Sequence, residues 1–362
     1  MHVIIAGGGT GGHVYPAIAI AEAVKMQFPE AKVTFIGTSR GLEVTAVPKA
    51  GWPLALINVR PIKGRSLVQR FMGGLTMVSG VAKARILLKR LKPDLVIGVG
   101  GYASAAAGVA AVSMGVPLVI HEQNSIPGLT NRLLGRIAKK VFITFPQAAN
   151  YFSPSKVVPV GNPVRQQVLA DIMKTTSDST SSEFVVFVFG GSQGARSLNQ
   201  AMLAALPYLK TLSRPLRVVH QVGSQADEKA IANVYRQAGV NAEVHQFIHD
   251  MGHYYRQADV VVARSGAGTL AELALVGKPA ILVPYPFASD NHQEANAQAY
   301  VSEGAARLIP DQELDGPRLA GELKGLLEDH LSRKAMGTCM KQMATPNAAV
   351  DIVNEGMRLL NV

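Results

Sequence analysis

The chain has one cysteine, Cys339. A lone thiol excludes an internal disulfide framework and a cysteine-rich zinc site, and it fits a reducing compartment. The opening "MHVIIAGGG" has neither the basic n-region nor the apolar h-region of a secretory signal. Acids are scarce in the first half. Residues 1–162 carry 18 Lys and Arg against 5 Asp and Glu, whereas residues 163–362 carry 18 against 20. No Asp-x-Asp occurs, so a metal-held nucleotide-sugar site of that kind has no support, and no metal or other cofactor is expected. One stretch, residues 95–120, lacks charge altogether. A membrane span would need a continuous apolar helix of about 20 residues. Gly98, Gly100, Gly101, Gly108, Gly115 and Pro117 interrupt this one, so it reads as strand, glycine loop, short helix and second buried strand.

What is present is a globular composition, 48% apolar and 17% charged over 362 residues, long enough for two cores. Near-continuous Val/Ile runs alternate with helical patterns: "HVIIA", "KVTFIG", "DLVIGVG", "PLVIHE" and "KVFITF", then "EFVVFVFGG", "LRVVHQVG", "AEVHQF", "DVVVARSG" and "PAILVPY". Such runs mark strands covered on both faces, hence α/β units with parallel sheets and right-handed crossovers. Strand plus glycine loop occurs first at "HVIIAGGGTGG" and restarts at "FVVFVFGGSQGAR", after the polar "TTSDSTSSE". Two Rossmann-like domains are expected, 1–163 and 164–341, with a hinge near Val160–Arg165. A C-terminal helix over 342–362 is expected to pack back on the first.

The loop Gly7-Gly8-Gly9-Thr10-Gly11-Gly12 satisfies G-x-G-x-x-G. Its glycines let backbone N–H groups approach an anion or sugar beside the positive end of a helix, and Pro16 suits a first helical position. A dinucleotide fold wants an acid at the end of the second strand, where "FIGTSRGLE" offers Ser39 and Arg40. NAD is disfavoured and an NADP-dependent oxidoreductase stays open. His13 is either a structural histidine bonded to backbone or a general base. The loops "GVGGYASAAAG", "HEQNSIPG" and "GGSQGARS" follow strands, where open α/β sheets place ligands; Ser192 suits a phosphate oxygen. Glu272, expected in the first turn of the helix in "RSGAGTLAELALVG", either binds a vicinal diol or offsets the helix dipole.

Arg60 to Lys92 holds nine cations and no acid, with Leu67, Val68, Phe71, Met72, Leu75 and Val78 interleaved. The spacing suits one helix face, and Gly73-Gly74 is expected to let it bend. This is either a solvated core helix or a surface for anionic lipid. Nucleic acid fits less well, since no aromatic-rich strip accompanies the charge.

Taken in order, "GGTGGH", "HEQN", "NPVR", "GGSQGAR" and "SGAGTLAE…GKPAILVPYP" resemble one family, the MurG-type peptidoglycan N-acetylglucosaminyltransferases of GT-B architecture, with two Rossmann-like domains facing across a cleft. The resemblance implies an inverting, metal-free transfer of GlcNAc from UDP-GlcNAc to the C4 hydroxyl of undecaprenyl-diphospho-MurNAc-pentapeptide, at the cytoplasmic face of the bacterial cell membrane. It implies that Thr10, Gly11 and Gly12 line the donor-sugar side, with His13 as base. Asn124 and Arg165 would lie by the donor sugar, Ser192 on the α-phosphate, and the Ile248 backbone on uracil. Ala267, Gly268, Thr269, Leu270, Ala271 and Glu272 would wrap the nucleotide-sugar, Glu272 on the ribose. Gln293 would meet the GlcNAc hydroxyls and Arg264 the diphosphate. Gly101 and Tyr102 would serve the acceptor, and Lys63, Arg65, Phe71, Arg85 and Lys89 the membrane. The second loop carries less glycine than the family pattern, and His292 stands where the family often has Gln. Within the fold, a transferase acting on another acceptor also stays open, as does a non-catalytic nucleotide-sugar binding module. Oligomeric state is not expressed in the sequence.

Overall fold

Alternating apolar runs build two parallel sheets. The computed structural model describes residues 1–59, 67–173, 182–191, 193–210 and 212–361, with the backbone alone over 67–75. Residues close in space fall into two units, Met1–Gln166 with Thr345–Val362, and Gln167–Ala344.

The first unit runs β1 (His2–Ala6), α1 (Gly11–Gln27), β2 (Lys32–Gly37), α2 (Glu43–Lys49), β3 (Leu54–Leu56), α3 (Leu67–Leu91), β4 (Leu95–Gly98), α4 (Gly101–Ser113), β5 (Leu118–Glu122), α5 (Leu129–Ile137), β6 (Lys140–Ile143) and β7 (Val157–Pro159). Its strands pair in parallel in the order β3-β2-β1-β4-β5-β6-β7. Along β1, Val3 and Ile5 point to one side and Ile4 and Ala6 to the other, as the two-residue strand period requires. The first pair joins a core with α1 and with Ile352 and Val353; the second joins Ala84, Leu88, Ala103 and Ala107 of α3 and α4. Each fully buried Val, Ile or Leu among them contributes about 1.5–3 kcal/mol.

After α6 (Gln166–Met173), the second unit runs β8 (Phe184–Phe189), α7 (Arg196–Ala205), β9 (Leu216–Gln221), α8 (Glu228–Gln237), β10 (Asn241–His245), α9 (Met251–Gln257), β11 (Val260–Ala263), α10 (Ala267–Val276), β12 (Ala280–Leu282), α11 (His292–Ser302), β13 (Ala306–Leu308), α12 (Gly316–Glu328) and α13 (His330–Gln342). The sheet order β10-β9-β8-β11-β12-β13 is that of a dinucleotide-binding fold. Val186 and Val188 pack with Leu198 and Met202 of α7 and Leu319 and Leu323 of α12. Phe187 meets Tyr255 edge-on, ring centroids 5.5 Å apart. The last helix, α14 (Ala348–Arg358), lies on α1 in the first unit, with Glu355 paired to Lys140.

Each sheet reverses its strand order beside its first strand, between β1 and β4 and between β8 and β11. Ligands of open α/β sheets bind outside such switch points. All four glycine loops that the sequence singles out after β1, β4, β8 and β11 open there.

Several expectations need correction. Pro16 lies inside α1, which begins at Gly11 with Thr10 as N-cap; the glycines themselves form the first turn, and Pro16 forgoes only one intrahelical bond. The three-residue strands β3, β7 and β13 were not anticipated. Residues 95–120 form β4, α4 and β5, and among the described residues no helix is long and apolar enough to cross a membrane. Lys63, Arg65, the Phe71 side chain, Ser192 and most of "TTSDSTSSE" lie outside the described residues.

Candidate active site

In the first unit two glycine loops meet backbone to backbone. A Cβ at Gly101 would stand 2.8 Å from the Gly8 carbonyl oxygen, and one at Gly7 would stand 2.7 Å from that of Gly100. Only glycine allows that approach. The β1–α1 loop is also tied from the side. Glu43, at the start of α2, accepts from the Gly9 N–H at 2.7 Å and from the Thr38 N–H and hydroxyl at 3.0 and 2.9 Å. Burial opposes its charge, but these donors outweigh burial and hold its carboxyl below the ordinary value. The acid sought near the end of the second strand therefore exists, and it is spent on the protein's own loop.

His13 occupies the third position of α1. Its Nδ1 lies 3.1 Å from the Gly8 carbonyl oxygen. A carbonyl can only accept, so this bond assigns the proton to Nδ1 and leaves Nε2 as the basic nitrogen of the neutral ring. A Cβ at Gly100 would fall 2.8 Å from Nε2, which places that nitrogen at the second glycine loop. Thr10, Gly11 and Gly12 surround it in sequence, and no side chain caps α1. Gly101 and Tyr102 begin α4 on the other side of the switch point.

Beneath lies the end of β5. His121 is wholly buried; Nε2–H donates to the Gly161 carbonyl at 3.0 Å and Nδ1 accepts from Gln123 at 3.1 Å. Burial first, then the nearby His13, pushes it down to about 4. Glu122 accepts from Asn131 at 2.9 Å and the Asn124 N–H at 2.9 Å, and burial pushes it up to about 7. Asn124 is thereby fixed at the strand end. Arg165 lies over the Tyr15 ring of α1, 4.4 Å from its centroid.

The second unit carries the other group of expected residues. No side chain caps α10, whose N-cap is Gly266, so the amides of Ala267, Gly268 and Thr269 form a positive end without an internal acceptor from a side chain. Leu270 and Ala271 turn their side chains into the core and offer backbone only. Glu272 lies in the second turn rather than the first, because the helix already begins at Ala267. The dipole reading weakens with that distance. Its Oε2 accepts from the Tyr255 hydroxyl at 2.9 Å. Gln293 accepts at Oε1 from the Tyr285 N–H at 2.9 Å, and its carbonyl accepts from Ser265 at 2.7 Å. His292 bonds the Ser289 carbonyl.

Arg264 is tied to partners within the second unit. It donates to Asp311 at 2.5 Å, to Ser197 at 2.9 Å and to the carbonyls of Val283 and Pro284. It straps α7 to the β12–α11 loop. The Ile248 N–H is also taken, at 2.8 Å, by the side chain of Gln221, a residue that the sequence reading missed. His249 and His253 stand at metal-ligand spacing, also missed there. His253 bonds Gln257, and among the described residues no three His, Cys, Asp or Glu side chains gather as a metal site.

On α3, Lys83, Arg85, Lys89 and Arg90 are exposed, and so are Val78 and Ile86, at 70% and 73%. Arg85 also bonds the Ser113 hydroxyl at 2.7 Å. This is a face of mixed apolar and cationic side chains.

Two Rossmann-like units, one with a histidine at its glycine loops and one with an uncapped helix start followed by a carboxylate, match a class of sugar-nucleotide transferases. Residues 3–143 match the glycosyltransferase family 28 N-terminal domain and residues 185–352 its C-terminal domain, and the chain belongs to this family. It is 43% identical to the UDP-N-acetylglucosamine–N-acetylmuramyl-(pentapeptide) pyrophosphoryl-undecaprenol N-acetylglucosamine transferase of Anaeromyxobacter dehalogenans (strain 2CP-C), across 99% of this chain and 93% of that protein. The protein of the same name from Geobacter metallireducens is 42% identical across 99% and 98%. The crystal structure of Acinetobacter baumannii MurG superposes with a TM-score of 0.81 at 31% identity, covering 99% of both chains.

Proposed function

We propose that this chain is the peptidoglycan transferase that moves GlcNAc from UDP-GlcNAc to the C4 hydroxyl of undecaprenyl-diphospho-MurNAc-pentapeptide. The observation that carries this reading is the full-length similarity to transferases of that name at 42–43% identity.

The chemistry follows from the groups present. The acceptor hydroxyl attacks C1 of GlcNAc as the bond from C1 to the diphosphate oxygen breaks, so configuration inverts. The bonding pair leaves with UDP, and the hydroxyl proton passes to His13 Nε2. Glu43 and the facing glycine loops hold that ring in place. The second unit binds the donor. The α10 amides face its phosphates, Ser192 is assigned to the α-phosphate, Glu272 accepts from the ribose diol, and the Gln293 Nε2 amide faces the sugar hydroxyls. The Ile248 carbonyl reads uracil. Backbone donors at helix starts stabilise the leaving diphosphate, so no catalytic metal is required. Arg264, braced by Asp311 and Ser197, adds positive charge beside the diphosphate. Thr10, Gly11, Gly12, Asn124 and Arg165 are assigned to the donor sugar, and Gly101 and Tyr102 to the acceptor.

The exposed apolar and cationic face of α3 fits a peripheral seat on anionic lipid at the cytoplasmic face of the membrane, where a polyprenyl acceptor resides. The test is a panel of nucleotide-sugars and lipid-linked acceptors scored by released UDP, with EDTA and with magnesium, on anionic and neutral vesicles. UDP release should require UDP-GlcNAc with the MurNAc-pentapeptide lipid and persist in EDTA. Absence of transfer to that acceptor, with transfer to another, would overturn the assignment.

A further inference from the structure

Gln221 closes β9 at the middle of three neighbouring strand ends. It is 3% exposed. Its Nε2 donates to the Gly191 carbonyl in the loop after β8, at 3.1 Å. Its Oε1 accepts from the Ile248 N–H in the segment after β10, at 2.8 Å. A carbonyl accepts only and a backbone amide donates only, so one orientation of the side-chain amide satisfies both. Glutamate keeps the shape and the acceptor but cannot donate to Gly191. Methionine keeps the length and makes neither bond.

The surroundings leave the two loops little other freedom. A Cβ at Gly194 would come within 2.2 Å of the Val222 carbonyl oxygen, and one at Gly223 within 2.3 Å of Gly194. The turn after β9 is thus pressed against the loop after β8, while the Val222 and Gly223 N–H groups donate to the carbonyls of His245 and Gln246. Gln221 is the side chain that spans this stack.

We propose that Gln221 is a positioning residue that sets the phosphate-facing loop against the base-reading segment and thereby determines the preference for a uridine nucleotide. This rests on the donor site assigned above to the second unit. With its N–H occupied, Ile248 has only its carbonyl left to offer the base. Uracil offers N3–H to a carbonyl, whereas cytosine offers a bare N3 that a carbonyl repels. Releasing the Ile248 N–H removes that bias, since the freed amide can donate to cytosine.

The experiment measures donor KM and kcat, with UDP and CDP inhibition constants, for the full chain, Gln221→Met and Gln221→Glu. Loss of both buried bonds should raise donor KM and the UDP inhibition constant about tenfold in Gln221→Met, with the loss carried by KM more than by kcat. The preference for UDP over CDP should shrink about as much. Gln221→Glu, which retains the Ile248 anchor, should raise KM yet keep the preference. A structural defect would lower the active fraction, and so kcat, without moving KM or the UDP-to-CDP ratio. That pattern, or wild-type KM and ratio in both variants, overturns the inference. A wild-type protein inhibited equally by UDP and CDP would overturn the donor-site reading beneath it. Should Gln221→Met fail to fold, the near-isosteric Gln221→Glu decides alone, since unchanged KM in that variant also overturns the inference.

Discussion

The two units share a strand order and differ in what fills their strand ends. Around the switch point of the first stand titratable groups: His13 on the glycine loop, His121 and Glu122 buried beneath it, and Glu43 holding the loop from the side. In the second, the corresponding places hold mostly neutral amides. Gln221 spans two loops, Asn199 and Tyr235 hold His220, and Gln293 fixes the β12–α11 loop. Even Arg264 is paired with Asp311. His220 is kept neutral, since burial pushes it down to about 3. One fold used twice thus gathers titratable groups in one copy and fixed neutral dipoles in the other, and on the proposed function the first moves the proton while the second holds the donor.

The contrast is breakable at its largest expected effect first. His13→Ala should lose about 10² to 10⁴ in turnover, the range that a positioned base supplies, with donor affinity near that of the wild type. A variant that keeps its rate would remove the base from the first unit. Glu272→Ala should do the reverse. Losing a charge-assisted bond to the ribose should weaken UDP binding roughly ten- to a hundredfold, read by calorimetry, and unchanged affinity would contradict the diol assignment.

Smaller effects sharpen the same division. Glu43→Gln substitutes an amide that cannot accept at both positions, so one buried N–H loses its partner at a cost of about 1–3 kcal/mol. Thermal melts should show the loss without any change in UDP affinity. Glu122→Gln tests the buried carboxyl. Its value in the folded chain, about 7, lies above the ordinary 4.5. The folded state therefore holds the proton more tightly, and this stabilisation is complete below about 4.5 and lost as pH rises to about 7. The melting temperature of Glu122→Gln relative to wild type should become more favourable from pH 5 to pH 8, by at most about 1.4 kcal/mol per unit. Comparing variant with wild type cancels the opposite slopes of His121 and His220. A flat difference would mean that Glu122 is ionised throughout.

Much of this was legible before any coordinates. Uninterrupted Val/Ile runs gave most strands, since a strand buried on both faces needs no alternation. The glycine loops marked the switch points because close backbone approach leaves few other residues possible. The short edge strands β3, β7 and β13 were not legible, as three residues cannot establish a period. Helix starts were misjudged for a related reason. Gly11 and Gly12 look like loop, yet an N-cap at Thr10 begins α1 there, and the same error put Glu272 one turn too early. Glu43 and Gln221 were invisible because the Gly9 N–H that Glu43 holds lies 34 residues away, and the groups that Gln221 holds lie 27 and 30 away. Only the folded sheets bring those loops together. The pairing of Arg264 with Asp311, far along the chain, was likewise not legible.

The central claim, that the second unit grips the donor through groups that do not titrate near neutrality while the first supplies the base, is tested most directly by pH. The dissociation constant of UDP-GlcNAc, whose diphosphate stays fully ionised, should be flat from about pH 6 to 8.5, while turnover at saturating donor rises across the range in which an imidazole loses its proton. A dissociation constant that follows pH while turnover stays level would contradict the account.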